Sequence, residues 1–151
     1  PVIIGEDSEV RSGAYIRANV FIGHRCVIRS EIKSSVFMND SQAPHLSYIG
    51  DSIIGSSCNL GAGTIFSNLR LDKNVIKINI GDFSYDTGLK KLGAIFGDKS
   101  QTSCLVVTEP GTLIGKNSWL TCKYQGFLPS GKFVSLEKGD IIKIKDNKMT
   151  S

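Results

Sequence analysis

Only two of the 151 residues are histidine, and no two of the four cysteines stand in a C-x-x-C pair. A zinc site built on three imidazoles is therefore excluded, and the cysteines carry no metal-ligand spacing. No apolar run reaches membrane-spanning length and no signal-peptide pattern is present, which leaves no candidate for a membrane segment. Aromatics make up 8% of the chain and form no ladder with basic residues, so a nucleic-acid groove is not indicated. The 18 basic residues are scattered among 14 acidic ones, and the net charge of +4 suits small anionic partners. These absences lead us to expect a cytoplasmic protein with reduced cysteines and one domain of modest size.

What the chain does have is a period of six. Aliphatic residues recur at Ile4, Val10, Ile16, Ile22 and Ile28, and the positions four further on hold Ser8, Ala14, Val20, Cys26 and Ile32, which are mostly small. This is the hexapeptide repeat of a parallel β-helix, in which three hexads make one triangular coil and coils stack about 4.8 Å apart. The register returns at Ile54, Leu60 and Phe66 with Cys58 and Thr64. It returns again at Phe96, Thr102, Thr108, Ile114 and Leu120 with Ser100, Val106, Thr112 and Ser118. A β-sandwich has no reason to keep such a phase. Two stretches, Ser34 to Ser47 and Ser67 to Gly93, break it and are expected to leave the solenoid as loops. The domain is expected over 1–125, with 126–151 a tail forming a short β-hairpin, KFVSLEKGDIIKIKD. The repeat is already running at Pro1, so the chain reads as a piece of something longer.

The stretch PHLSYIGDSIIGSSCNLGAGTIFSN, from Pro44 to Asn68, concentrates the residues that can do chemistry. It supplies a histidine, glycine-flanked backbone amides and a terminal asparagine. His24, in an ordinary hexad, reads as a surface residue.

The run from Arg11 to about Cys122 resembles the C-terminal, left-handed β-helix domain of the bifunctional sugar-1-phosphate nucleotidyltransferase and glucosamine-1-phosphate acetyltransferase family. Its archaeal branch is the nearest likeness, through PHLSYIGDSIIG, NLGAGT, SNLRLDK and DTGLKKLGAIFGD. The nucleotidyltransferase half is absent from this sequence. The resemblance implies an all-β fold with left-handed winding, acetyl-CoA as co-substrate, no metal for the transfer, and an amino-sugar phosphate as acceptor. It gives His45 the role of catalytic base and places Asn68 beside it. Tyr48, Asn59, Arg11 and Lys33 would bind the sugar phosphate, joined by Lys77 and Lys73 from the lysine positions after the asparagine. The Ala62 backbone amide would help hold the thioester. Cys104 and Cys122 stand where relatives have small residues along the coenzyme cleft. Leu69 and Asn74 also depart from the family pattern, which has tyrosine and lysine there.

The chemistry suits those residue types. A neutral amine must attack a thioester, and imidazole, with an ordinary pKa of about 6.5, can take the amine proton at neutral pH. Negative charge on the thioester oxygen calls for a fixed N–H, which Gly61-Ala62-Gly63 can offer. The sugar phosphate calls for cations, among which arginine suits bidentate contact. Relatives complete the coenzyme site between subunits, so a homotrimer with interfacial sites is expected. Two rivals fit the same fold: a hexapeptide acetyltransferase for another acceptor, and a non-catalytic trimerisation domain of a sugar nucleotidyltransferase.

Overall fold

In the computed structural model the described residues, 1–121, 126–135, 140–145 and 148–150, contain strands and turns and no helix. They wind into a left-handed parallel β-helix of about seven turns. Its first face stacks seven strands in order: Val2–Ile4, Val20–Ile22, Val36–Phe37, Ile53–Ile54, Ala94–Phe96, Thr112–Ile114 and Phe127–Leu128. The second face runs from Glu9–Val10 through Val27–Ile28 and Gln42–Ala43. Parallel bridges at Asn59 carry it on to Gln101–Thr102, Trp119–Leu120 and Lys132–Ser135. Asp140–Lys145 then pairs antiparallel with Lys132–Ser135. The third face holds Tyr15–Ile16, Glu31–Lys33, Tyr48–Gly50, Ile65–Phe66 and Val107–Thr108.

The hexad dictates this winding. Its aliphatic residue ends a two- or three-residue strand and points inward, so Ile22, Ile28, Phe37, Ile54, Phe66, Phe96 and Leu120 are at most 1% exposed. Burial of each such side chain contributes roughly 1.5–3 kcal/mol. Three residues later the backbone turns through the left-handed region, at Asp7, Arg25, Asp40, Ser57, Lys99 and Asn117 along the edge between the first and second faces, with φ of 54–62°. None of these is glycine, and the strain is offset by stacking. Arg25 N–H donates to Glu6 C=O (3.0 Å) and Asp40 N–H to His24 C=O (2.9 Å), each one coil back. The next residue sits inside the corner, where only a small side chain fits. Ser8, Ser41 and Ser100 there donate to the carbonyls of Gly23, Gly55 and Gly115 (2.6–2.8 Å), and accept N–H groups from Cys26, Cys58 and Ser118 (3.0 Å).

Two sequence expectations need correction. Ile32 is not a corner residue: it faces inward in register with Ile16, because Ile28 to Ile32 is a four-residue step and the turn between them is shortened. The stretch 34–47 does not leave the solenoid either. Phe37 and Ala43 in it are fully buried inward residues, and the phase slips because Ile32 to Phe37 is a five-residue step. The second departure is a true arm. Between Ser67 and Gly93 the chain forms a hairpin of Lys77–Ile80 and Phe83–Asp86, rooted by Ile76, which is 1% exposed. At the opposite end of the repeat, Ile4 and Val10 remain 44% exposed although they occupy inward positions.

Candidate active site

The shortened turn at Arg29–Ser30 opens a groove of about 350 Å³ on the third face, bordered by Gly13, Tyr15, Arg29, Leu46, Tyr48 and Ile65. The two edges of that face carry most of the expected site residues, in two groups.

On the edge between the second and third faces stand Arg11, His45, Ala62 and Cys104, each on a different coil. His45 is exposed, and its carbonyl accepts from Gly63 N–H (3.3 Å) and the Ser47 hydroxyl (3.1 Å), which fixes the turn that projects the imidazole. One coil on, Ala62 C=O accepts from Leu105 N–H (2.8 Å), while the Ala62 N–H donates to no backbone group among the described residues. A free backbone donor is thus held one coil from His45. A side chain at Gly61 would collide with the Ser103 carbonyl and the Cys104 amide, so the coils approach closely here. Cys104 is exposed beside this turn. Cys122 lies outside the described residues. Arg11, lower on the edge, forms a two-point pair with Glu9 (3.0 and 3.1 Å).

On the edge between the third and first faces, Lys33, Tyr48 and Asn68 converge. A Cβ at Gly50 would stand 2.5 Å from Asn68 Nδ2 and 2.6 Å from the Tyr48 hydroxyl, so both polar groups lie directly over this glycine and a side chain there would displace them. Lys33 Nζ donates to the Asp51 carboxylate (3.1 and 3.3 Å), and Asn68 Nδ2 donates to the same group. Asp51 was not anticipated from sequence, although it stands three residues after Tyr48 in the YIGD segment. Arg17, also unanticipated, sits one coil below Lys33, pairs with Glu31 (3.0 Å) and lies 5.9 Å from the Tyr15 ring centroid.

The remaining expected residues lie apart from these groups. Asn59 is exposed on the second face, across the His45 edge from Tyr48. Lys73 and Lys77 are exposed on the arm, where Lys77 borders a cleft of about 560 Å³ with Arg70, Asn74 and Pro110. The Asn74 amide donates to Asp72, and Leu69 bridges to Lys91. Asn68 therefore stands not at His45 but at the far end of the same face, with Tyr48 between them. Among the described residues no cluster of His, Cys, Asp and Glu could hold a metal ion, and no helix is long and apolar enough to cross a membrane.

A profile of the family described as GMPPB C-terminal domain matches residues 1–118. The chain is a member of the GMPPB C-terminal domain family. Among curated relatives, a Bifunctional protein GlmU of Methanococcus aeolicus is 39% identical over 140 residues, covering 91% of this chain and 33% of that protein. A Bifunctional sugar-1-phosphate nucleotidylyltransferase/acetyltransferase of Sulfurisphaera tokodaii is 39% identical over 134 residues, covering 76% of this chain and 33% of the relative. The chain thus spans about a third of the length of these relatives. Among solved structures, the acetyltransferase domain of PglB from Neisseria gonorrhoeae matches with a TM-score of 0.67, at 12% identity, over 88% of this chain and 56% of that one. That likeness bears on the fold. The resemblance to archaeal bifunctional enzymes drawn from the sequence is borne out.

Proposed function

We propose that this chain is the acetyl-transferring portion of a longer cytoplasmic bifunctional protein. It moves an acetyl group from acetyl-CoA to the amine of a hexosamine-1-phosphate, either glucosamine-1-phosphate or galactosamine-1-phosphate, and the product serves UDP-sugar synthesis. The observation that carries this reading is the gathering of Tyr48 and Asn68 over Gly50, and of Lys33 and Asn68 on Asp51, at one end of a face whose other end presents His45. The names of the archaeal relatives, which join nucleotidylyl transfer to acetyl transfer, support the same chemistry.

In this reading the sugar lies along the third face. Its phosphate meets Lys33, its hydroxyls meet Tyr48 and Asn68, and its amine reaches His45. The imidazole accepts the ammonium proton as nitrogen attacks the thioester carbon. The carbonyl electrons move onto oxygen, where the free Ala62 N–H donates to the developing charge. Collapse expels the coenzyme A thiolate, which takes the proton from His45. A three-fold assembly is part of the same reading. Asn59 and Tyr48 flank the His45 edge on two different faces, so a ligand using both is best enclosed when a neighbouring copy covers that edge. The homotrimer, Cys104 beside the coenzyme cleft, and the phosphate contacts of Arg11, Lys73 and Lys77 belong to this proposal. So does a nucleotidyltransferase domain as the chain's covalent partner.

The test is mass analysis of the products after incubation with acetyl-CoA and each of three acceptors: glucosamine-1-phosphate, galactosamine-1-phosphate and unphosphorylated glucosamine. The expected result is N-acetylation of one or both phosphates at a kcat/KM at least ~10-fold above the unphosphorylated sugar, since loss of the phosphate removes a charge-assisted contact. Acetylation of none by a folded trimer favours the structural role, and equal acetylation of all three removes the phosphate from the recognition.

A further inference from the structure

Both feet of the arm that leaves the solenoid at Ser67 and returns at Gly93 are tied to one residue. Asn68 donates through Nδ2 to the Asp51 carboxylate. Gly93 N–H donates to the Asp51 carbonyl (2.8 Å), and Asp51 N–H donates in turn to Lys33 C=O (2.9 Å) one coil back. The carboxylate also receives Lys33 Nζ at 3.1 and 3.3 Å. The Lys33 and Asp51 side chains are only 21% and 19% exposed, so this pair is less screened than the other ion pairs among the described residues.

A carboxylate accepts and cannot donate, so it decides which end of the Asn68 amide faces it. The NH2 group must turn toward Asp51, and Oδ1 becomes the group that Asn68 can offer elsewhere. Lys33 likewise has two donors aimed at Asp51 and a third unspent. We propose that Asp51 is a positioning residue that sets the amide orientation of Asn68 and the direction of Lys33. A sugar amine or hydroxyl then meets an acceptor at Asn68 while the phosphate meets the remaining donor of Lys33. This rests on the functional reading above and adds to it a residue that touches no substrate.

Asp51→Asn separates this role from simple bracing. Asparagine matches aspartate in size and tolerates the positive φ of 49° at this position equally well. It can donate as readily as accept, so the Asn68 orientation is no longer enforced and Lys33 loses its counter-charge. The expected result is a kcat about 10- to 100-fold lower, the worth of a hydrogen bond to a charged group. The KM for acetyl-CoA stays unchanged, the KM for sugar phosphate does not rise, and the preference between the gluco and galacto acceptors narrows. Because part of the effect of Asp51 runs through Asn68, Asp51→Asn combined with Asn68→Ala lowers kcat by less than the product of the two single losses, the remainder being the part that runs through Lys33. Melting curves check that each variant is folded. Should Asp51→Asn not fold, Asp51→Glu, which keeps the charge but displaces Asn68, is expected to show the same loss of kcat. An active parent whose Asp51 variants keep both kcat and acceptor preference overturns this inference alone, as does a double variant whose losses multiply. A parent inert toward every amino-sugar phosphate overturns the functional reading and this inference together.

Discussion

Ile4 and Phe66 occupy the same inward position of the hexad, yet truncating them should have very different consequences. The Phe66 side chain is fully buried, and its ring centroid lies 5.6 Å from that of Phe96, tilted by 41°. Phe66 is the last inward residue before the arm and Phe96 the first after it, so the pair joins the coils that the arm separates in sequence. Phe66→Ala removes a ring from a closed core and leaves a cavity, a change that costs about 3–5 kcal/mol. For a chain of this size each kcal/mol lowers the melting temperature by roughly 2–4 °C, so a fall of about 6–20 °C is expected. Ile4 is 44% exposed, so Ile4→Ala loses only part of a transfer energy and opens no cavity. A fall of less than about 1 kcal/mol is expected there. Thermal and urea unfolding of both variants, with the slope against denaturant held constant, is the assay. Equal losses at the two positions, or a loss below about 1 kcal/mol at Phe66, would refute the view that stability resides in the coils around the root of the arm.

Other expectations follow from individual side chains. The Thr108 hydroxyl is fully buried and has no hydrogen-bond partner among the described residues, so Thr108→Val should stabilise the fold by ~1 kcal/mol. Thr102, whose Oγ1 accepts from Gly61 N–H (2.9 Å) and contacts the Thr64 hydroxyl (2.8 Å), should instead be destabilised by the same change, and denaturation of both variants compares the two. Burial pushes the Cys26 and Cys58 thiols up, whereas Cys104 is exposed. A thiol reagent at pH 8 should therefore lose one fast equivalent in Cys104→Ser and react with Cys26 and Cys58 only on unfolding. Hydrogen bonds from Arg25 and Lys116 hold the Asp40 and Asp98 carboxyls below the ordinary carboxylate range. Because these folded-state values are lowered, their contribution is present above pH ~4 and fades as the pH falls below it. The melting temperature should decline on acidification below pH ~4, and a rise there would contradict this assignment.

The solenoid was legible because a six-residue phase is enforced by sterics at every coil. The inward position is filled mostly by large apolar residues such as Ile22 or Phe66, and the corner mostly by small ones such as Ser41 or Cys58. What misled was the assumption that the phase breaks only when the chain leaves the coil. Ile28 to Ile32 and Ile32 to Phe37 are short steps absorbed within turns, where a left-handed residue such as Ser34 (φ 47°) closes the corner early. A deletion in a turn and an insertion out of it look alike in sequence. They differ in whether the inward residues on either side can still stack. For the candidate site, the sequence could nominate residues but not their arrangement. His45, Tyr48 and Asn68 are close in sequence, but the coil carries them to the two ends of one face. Asp51 drew no attention because a lone aspartate at a turn commonly serves only its backbone conformation. Its importance lies in Lys33 and Asn68 reaching it from the coils on either side, a relation that exists only after stacking.

The central claim is that His45 removes the proton from an amino-sugar phosphate as it attacks acetyl-CoA. Following free thiol release from acetyl-CoA, with glucosamine-1-phosphate or galactosamine-1-phosphate as acceptor, for the parent and for His45→Ala side by side tests it most directly. The expected result is acceptor-dependent release by the parent that falls by about 100-fold or more in the variant, as loss of a general base requires. Equal release from both proteins, with the variant folded and in the same oligomeric state, would contradict it.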